Sequence, residues 1–453
     1  MSEPITVSLV HLGCARNLID SEVMLARMAE QGCIVSGELE GADVGIVNTC
    51  SFIGPARAES EAAIRGLLER KRRGELRSVV VAGCLVQRYR RALLERFPEV
   101  DLFAEISDYS ALARAVRELE RPRSGPRYLD AGGLREPERE GSRLLSTPAS
   151  YAYLRISHGC DHTCAFCAIP AIRGPHRSKR PESVLDEARE LIGAGVKELV
   201  LVAEDSTAWG REFGSELPAL IEALAELEGE HRLRLMYAYP HRFPWELLPL
   251  LREHPRVLPY LDIPVQHVST PVLRAMRRAG SGEQVLSILD RILEEVPGIT
   301  LRTTLLVGYP GERDEDAALL PEFIRRYRIG RLGAFAYSPE EGTHGASLVE
   351  RASDEVVDRR LQAVFEARDQ VLRESQGALV GRSLEVLVDE RHGERGIARS
   401  GLDAPEVDLV AEVHDCRAEV GQRISVRVEG LDERSNLVCR AVRRTEEQGA
   451  RAR

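Results

Sequence analysis

The chain has 453 residues, 62 Lys+Arg against 72 Asp+Glu, and a formal net charge of −10. At roughly 100–200 residues per domain this length predicts about three domains, and 43% hydrophobic with 30% charged residues excludes wholesale disorder. The acidic balance excludes a generally basic nucleic-acid coat, and no apolar run approaches the roughly 20 residues of a membrane helix.

The opening, MSEPITVSLVHLGC, has neither the basic start nor the apolar core of a secretion signal. A cytoplasmic protein is expected, in a compartment where disulfides are rare. Up to about residue 120, apolar runs at 5–10, 44–47 and 78–82 alternate with helical patterns such as 18–31 and 56–72. That alternation predicts a parallel sheet covered by helices. Residues 121–148 are rich in Pro, Gly and charge without a sustained period, and are read as a linker.

From residue 149 to about 378 the alternation restarts, with strands expected at 151–157, 198–203, 232–239, 259–265, 299–307 and 332–337. Helices are expected at 182–192, 282–296 and 314–328, and a long charged one at 353–376 leads out. Six βα units in a row predict a partial (β/α) TIM barrel with its chemistry at the C-terminal ends of the strands. Residues 379–445 change to short alternating runs (383–388, 396–400, 409–413, 423–428, 437–442), the signature of a small all-β barrel or sandwich. A charged tail, 446–453, closes the chain. The fold class is thus α/β multidomain with a β-rich C-terminal module.

Nine cysteines need a metal or a packing explanation. Cys160, Cys164 and Cys167 form C-x-x-x-C-x-x-C in HGCDHTCAFCAIP, immediately after an expected strand. Three thiolates this close can hold three corners of a cubane iron–sulfur cluster and leave one iron open. A structural zinc loop, with His158 or His162 as fourth ligand, is the alternative. Cys14, Cys50 and Cys84 end VSLVHLGC, VGIVNTC and VVVAGC, each where a strand gives way to a helix. In a parallel sheet those positions share one edge, where α/β proteins gather their sites. They suggest a second cluster, against the alternative of cysteines that merely pack in buried strands. Cys33, Cys416 and Cys439 have no such company and are expected to be core residues.

These motifs resemble those of the radical S-adenosylmethionine (SAM) enzymes, and the whole chain resembles a methylthiotransferase. Such a protein has an N-terminal three-cysteine domain, a radical SAM domain and a C-terminal TRAM-type barrel. The strings HLGCARNLIDSE, GCDHTCAFCAIPAIRG, AEDSTAWG, DIPVQHVS, YSPEEGT and DAPEVD are similar to the branch that modifies an aspartate of small-subunit ribosomal protein twelve. The sister branch, which modifies tRNA adenosines, usually carries Asn and Tyr where Asp161 and His162 stand. Glu204, Tyr309 and Arg16 stand where the family commonly has Gln, Phe and Lys.

The resemblance implies two [4Fe–4S] clusters, one on Cys160, Cys164 and Cys167 that binds SAM and an auxiliary one on Cys14, Cys50 and Cys84. It implies two SAM per turnover, a 5′-deoxyadenosyl radical that takes a hydrogen from the aspartate β-carbon, and sulfur handled at the auxiliary site. A reducing partner such as a flavodoxin or ferredoxin and a monomeric enzyme are expected with it. Glu204, Asp205, Ser206, Gln266, Gly308 and Gly311 follow strands of the barrel and are candidates for SAM contact, with the glycine pair equally explicable as a turn. Arg173, Arg177, Lys179 and Arg180 form a basic loop that either steers SAM or an acidic substrate or is simply solvated. From Leu379 onward the chain has 13 Arg, no Lys and 15 Asp+Glu. An acidic module suits a basic ribosomal protein better than RNA, whose binding is dominated by phosphate neutralisation. The competing readings are a tRNA methylthiotransferase with the same cofactors, and a non-catalytic iron–sulfur or zinc protein.

Overall fold

Runs of valine, isoleucine and leucine too short to span more than one face of a core build the first sheet. The computed structural model describes residues 4–106, 109–120, 125–130, 132 and 141–442, so the expected charged tail lies outside the described residues. Strands β1 (Thr6–His11), β2 (Ile34–Ser36), β3 (Val44–Thr49), β4 (Ser78–Gly83), β5 (Leu102–Ala104) and β6 (Arg127–Leu129) pair in parallel in the order β2-β1-β3-β4-β5-β6. Every residue of β3 and β4 is buried, as a sheet covered on both faces requires. Helices α1 (Ala15–Glu30), α2 (Gly54–Arg72) and α3 (Cys84–Tyr89) follow β1, β3 and β4.

The stretch expected to be a linker contributes β6, which pairs with β5 from Arg127 to Leu129. A half-buried edge strand of three residues carries no period that a sequence reveals. Beyond it, Arg143 Nε donates to Glu22 at 3.0 Å and the Ser146 amide to the same carboxylate at 2.8 Å, which ties this stretch to α1.

β7 (Tyr151–Arg155) opens the second sheet, and the chain then makes a small antiparallel ribbon from β8 (Ser157–His158) and β9 (Arg177–Ser178). The second sheet continues with β10 (Glu198–Val202), β11 (Arg232–Leu235), β12 (Val257–Asp262), β13 (Thr300–Val307) and β14 (Arg331–Ala336). All neighbours are parallel, in the order β14-β13-β12-β11-β10-β7, so the expected partial barrel is an open half-barrel. The last five strands, β15 (Ser383–His392), β16 (Arg395–Ser400), β17 (Ala411–His414), β18 (Arg423–Leu431) and β19 (Leu437–Ala441), form a closed barrel ordered β15-β16-β17-β19-β18. Cys416 and Cys439 lie in its apolar core and Cys33 is buried, as expected of packing residues.

The compact units do not follow chain order. One holds Met1–Ser146 together with Ser157–Ser183 and Ser338–Ala346; the other holds Thr147–Ile156, Val184–Tyr337 and Ser347–Arg453. Within the second unit the string DAPEVD fastens the closed barrel to the half-barrel. Asp403 binds Arg331 at 2.8 Å, Glu406 accepts from Tyr153 at 2.9 Å and Asp408 from Tyr260 at 2.6 Å. Tyr153 and Arg331 lie near the N-terminal ends of their strands, so the C-terminal ends stay clear of this clasp. No helix among the described residues is long and apolar enough to cross a membrane.

Candidate active site

Three adjacent parallel strands bring Cys14, Cys50 and Cys84 to one edge. The register pairs His11 with Asn48 and Thr49 with Gly83, so the three strand ends stand level. Cys14 is the N-cap residue of α1, Cys50 directly follows β3, and Cys84 is the first residue of α3. Two glycines make the corner possible. Gly13 (φ +101°) would place a Cβ 2.9 Å from Cys50 Cβ, and Gly83 (φ +95°) would place one 2.2 Å from Asn48 Oδ1. Both conformations are ones that side chains rarely adopt.

Buried polar residues of ARNLIDSE hold the corner rigid. Asn17 Nδ2 donates to the Leu12 carbonyl at 2.6 Å, and Asn48 Nδ2 donates to the Asn17 carbonyl at 2.8 Å and to Ser21 Oγ at 2.9 Å. Ser60 Oγ exchanges hydrogen bonds with the Cys50 backbone, and Ser51 Oγ donates to the Cys84 carbonyl at 3.0 Å.

The thiols sense one another. Burial pushes the Cys50 thiol up to about 11, and the neighbouring Cys84 and Cys14 add to the rise. Burial likewise raises Cys84, against the pull of Arg173. At Cys14 burial also opposes ionisation, but Arg16 and Arg173 outweigh it and hold the thiol below its usual value. Cationic surroundings of this kind favour thiolate ligands.

Cys160, Cys164 and Cys167 belong to the same compact unit, on Ser157–Ser183. The β8–β9 ribbon pinches the base of this loop. Gly159 (φ +73°) would set a Cβ 2.0 Å from the Pro175 carbonyl, and the Cys160 amide donates to the Gly174 carbonyl at 3.1 Å. The Cys167 amide closes a turn on the Cys164 carbonyl at 3.1 Å, and Gly345 donates to the Ala165 carbonyl at 2.6 Å. All three cysteines are half-buried. Among the described residues no group of three His, Cys, Asp or Glu is placed to hold a single metal ion. A cubane asks for something else, since each thiolate binds its own iron and the ligands ring the cluster. Both cysteine triplets fit that demand in number, donor type and loop placement.

In the second unit, Asp205 Oδ1 accepts from the Thr207 amide at 2.9 Å and the Thr207 hydroxyl at 2.6 Å, and Ser206 Oγ donates to the Met236 carbonyl at 2.6 Å. Both side chains are buried, while Glu204 is half-buried. Gln266 adopts φ +69°, and its backbone bridges to β13 through Thr304 and Leu306. Gly308 and Gly311 both have positive φ; Glu312 caps the turn by accepting from the Tyr309 amide at 3.1 Å, and a Cβ on Gly308 would meet Val357 at 2.6 Å. The turn thus accounts for Gly308 without a ligand.

Comparison with known proteins follows this layout. The radical SAM superfamily matches residues 154–324, an uncharacterized protein family, UPF0004, matches 6–105, and the TRAM domain matches 380–442. A ribosomal protein uS12 methylthiotransferase RimO from Trichlorobacter lovleyi is 39% identical over 93% of this chain and 95% of its own length. The chain belongs to the RimO family. The relatives of that name from Bacteroides thetaiotaomicron (39%, covering 94% of this chain and 96% of the relative) and Myxococcus xanthus (38%, 97% and 92%) agree. Among solved structures, the radical SAM methyltransferase TsrM from Kitasatospora setae shares the fold at a TM-score of 0.54 and 16% identity, over 74% of this chain and 77% of that one.

RimO-family chains are transferases, and radical SAM membership implies one [4Fe–4S] cluster and SAM. The basic-loop expectation needs correction in this RimO-family chain. Arg173 and Lys179 are buried and only Arg180 is exposed. Arg173 is ion-paired to Asp20 at 2.7 Å, so it is neither solvated nor available to steer a substrate. A buried charge needs such a partner, and no local pattern in the sequence announces one 153 residues away. Glu340, in the YSPEEGT string, was also without an assigned role. It is almost wholly buried, and it binds Arg57, Arg88 (2.8 Å) and Ser338 Oγ (2.7 Å).

Proposed function

We propose that this chain methylthiolates the β-carbon of an aspartate of ribosomal protein uS12, as a radical SAM enzyme with two [4Fe–4S] clusters and two SAM per turnover. The observation that carries the reading is the presence of both cysteine triplets in one compact unit of a RimO-family chain. Cys160, Cys164 and Cys167 would hold the SAM-binding cluster, and Cys14, Cys50 and Cys84 the auxiliary one. When bound, these groups supply the electron that cleaves SAM and a place for the sulfur to be held.

The chain's own residues bind and orient. The ribbon and the Gly159 turn fix the first cysteine set, and the Asn17–Asn48 network fixes the second. Glu204, Asp205, Ser206, Gln266, Gly308 and Gly311 are the proposed surroundings of SAM; of these, Glu204 keeps the most freedom for its carboxylate to meet an amino group. A flavodoxin or ferredoxin as reducing partner, a monomeric state and a cytoplasmic location belong to the same proposal.

The test uses anaerobically reconstituted enzyme with SAM, reductant, and either uS12 or tRNA, read by mass spectrometry. Gain of a methylthio group on the uS12 aspartate is expected, with about eight irons per chain for two four-iron clusters. Modification of tRNA alone overturns the reading.

A further inference from the structure

Arg173 lies on the same segment as Cys160, Cys164 and Cys167, at the end of the short helix Ile169–Arg173, which packs against α3. Its guanidinium, however, is buried at the corner of the other three cysteines. One nitrogen, Nη1, donates to Asp20 Oδ2 at 2.7 Å. The other, Nη2, donates to Asn17 Oδ1 and to Cys84 Sγ, each at 3.3 Å. Asp20 and Asn17 are themselves fully buried on α1, so the fork is held from behind while one arm faces a thiol. Arg173 also acts electrostatically on Cys14 and Cys50.

Second-shell partners of ligands orient them and tune the group they bind. For iron–sulfur clusters the reduction potential follows net charge and the hydrogen bonds made to the sulfurs. An arginine fork is always charged and planar, which suits it to a fixed, directional contact. One-electron reduction adds one negative charge to a cluster and its thiolates. A buried cation that donates to a ligand sulfur stabilises that reduced form more than the oxidised one, and raises the potential.

We propose that Arg173 is a positioning residue that raises the reduction potential of the cluster on Cys14, Cys50 and Cys84 through its hydrogen bond to Cys84 Sγ and its buried charge. The same contact couples that cluster to the segment carrying the SAM-binding cysteines. The inference rests on the reading that these three thiols hold a cluster.

The test is a dithionite titration of the full-length, reconstituted protein followed by electron paramagnetic resonance, with the two signals assigned from Cys50→Ala and Cys164→Ala. Arg173→Gln alone leaves Asp20 buried and unpaired, so it is paired with Asp20→Asn to restore a neutral hydrogen bond. At fixed poise the ratio of reduced to oxidised auxiliary cluster should fall about tenfold in Arg173→Gln/Asp20→Asn, about 59 mV for a one-electron couple. Arg173→Lys, which keeps the charge and loses the fork, should shift less, and the signal assigned to Cys160, Cys164 and Cys167 should not move. An unchanged auxiliary potential in both variants overturns the proposal, and so does loss of auxiliary iron without a shift in what remains, which is a structural role only. A wild-type protein with about four irons and no signal sensitive to Cys50→Ala sinks the two-cluster reading itself.

Discussion

Arg399 of the closed barrel and Glu198 at the start of β10 meet at 3.2 Å with almost no access to water, and Arg234 completes the carboxylate's shell at 2.7 Å. Burial works against this carboxylate, but Arg234 and Arg399 outweigh it and hold it at about 2, below roughly 4.3 in an unfolded chain. The folded state therefore takes up the proton less readily. Its stabilisation is complete above about pH 4.3 and is lost as the pH falls towards about 2. Glu198→Gln should cost about 3–5 kcal/mol near neutrality, because two buried guanidiniums lose their counter-charge. It should also flatten the acid limb of stability. Denaturant melts of the wild type and the variant at several pH values check both.

Glu340→Ala should release the segment Ser338–Ala346. It leaves Arg88, 8% exposed, without its carboxylate, at a cost of about 3–5 kcal/mol. Hydrogen–deuterium exchange should rise in that segment and around Arg57 and Arg88 first. Uniform exchange over the whole unit would contradict a local clasp.

Cys164→Ala should abolish SAM cleavage, since two remaining thiolates cannot seat the cluster. Cys50→Ala should spare SAM cleavage and stop methylthiolation of uS12. Counting 5′-deoxyadenosine and modified uS12 from the same reactions separates the two. A methylthio product from the Cys50 variant would show that the corner cysteines have another role.

Gly83→Ala forces a Cβ to within 2.2 Å of Asn48 Oδ1 and 2.7 Å of the Thr49 carbonyl, at a φ of +95°. Asn48 has no room to retreat, being fully buried. The variant should lose the corner, with iron per chain falling from about eight towards about four while SAM cleavage survives. Iron analysis beside a melting curve checks this.

The sequence showed the strands and the cysteines at their ends, because a buried parallel strand must be apolar and the turn after it must not. The same logic placed Cys416 and Cys439 in the barrel core. What it hid were contacts whose partners lie far along the chain. Arg173 reads as one more exposed basic residue until α1 supplies Asp20 and Asn17. β6 is three half-buried residues in a polar stretch, recognisable only by the strand it pairs with. DAPEVD looked like a substrate-branch marker and proves to be a fastening between two modules.

The ring β15-β16-β17-β19-β18 closes through the β15–β18 pair. A ring of strands offers no row of unpaired amides and carbonyls to a visitor. Whatever this module grips, it must grip with loops and side chains, and a peptide cannot join it as a sixth strand.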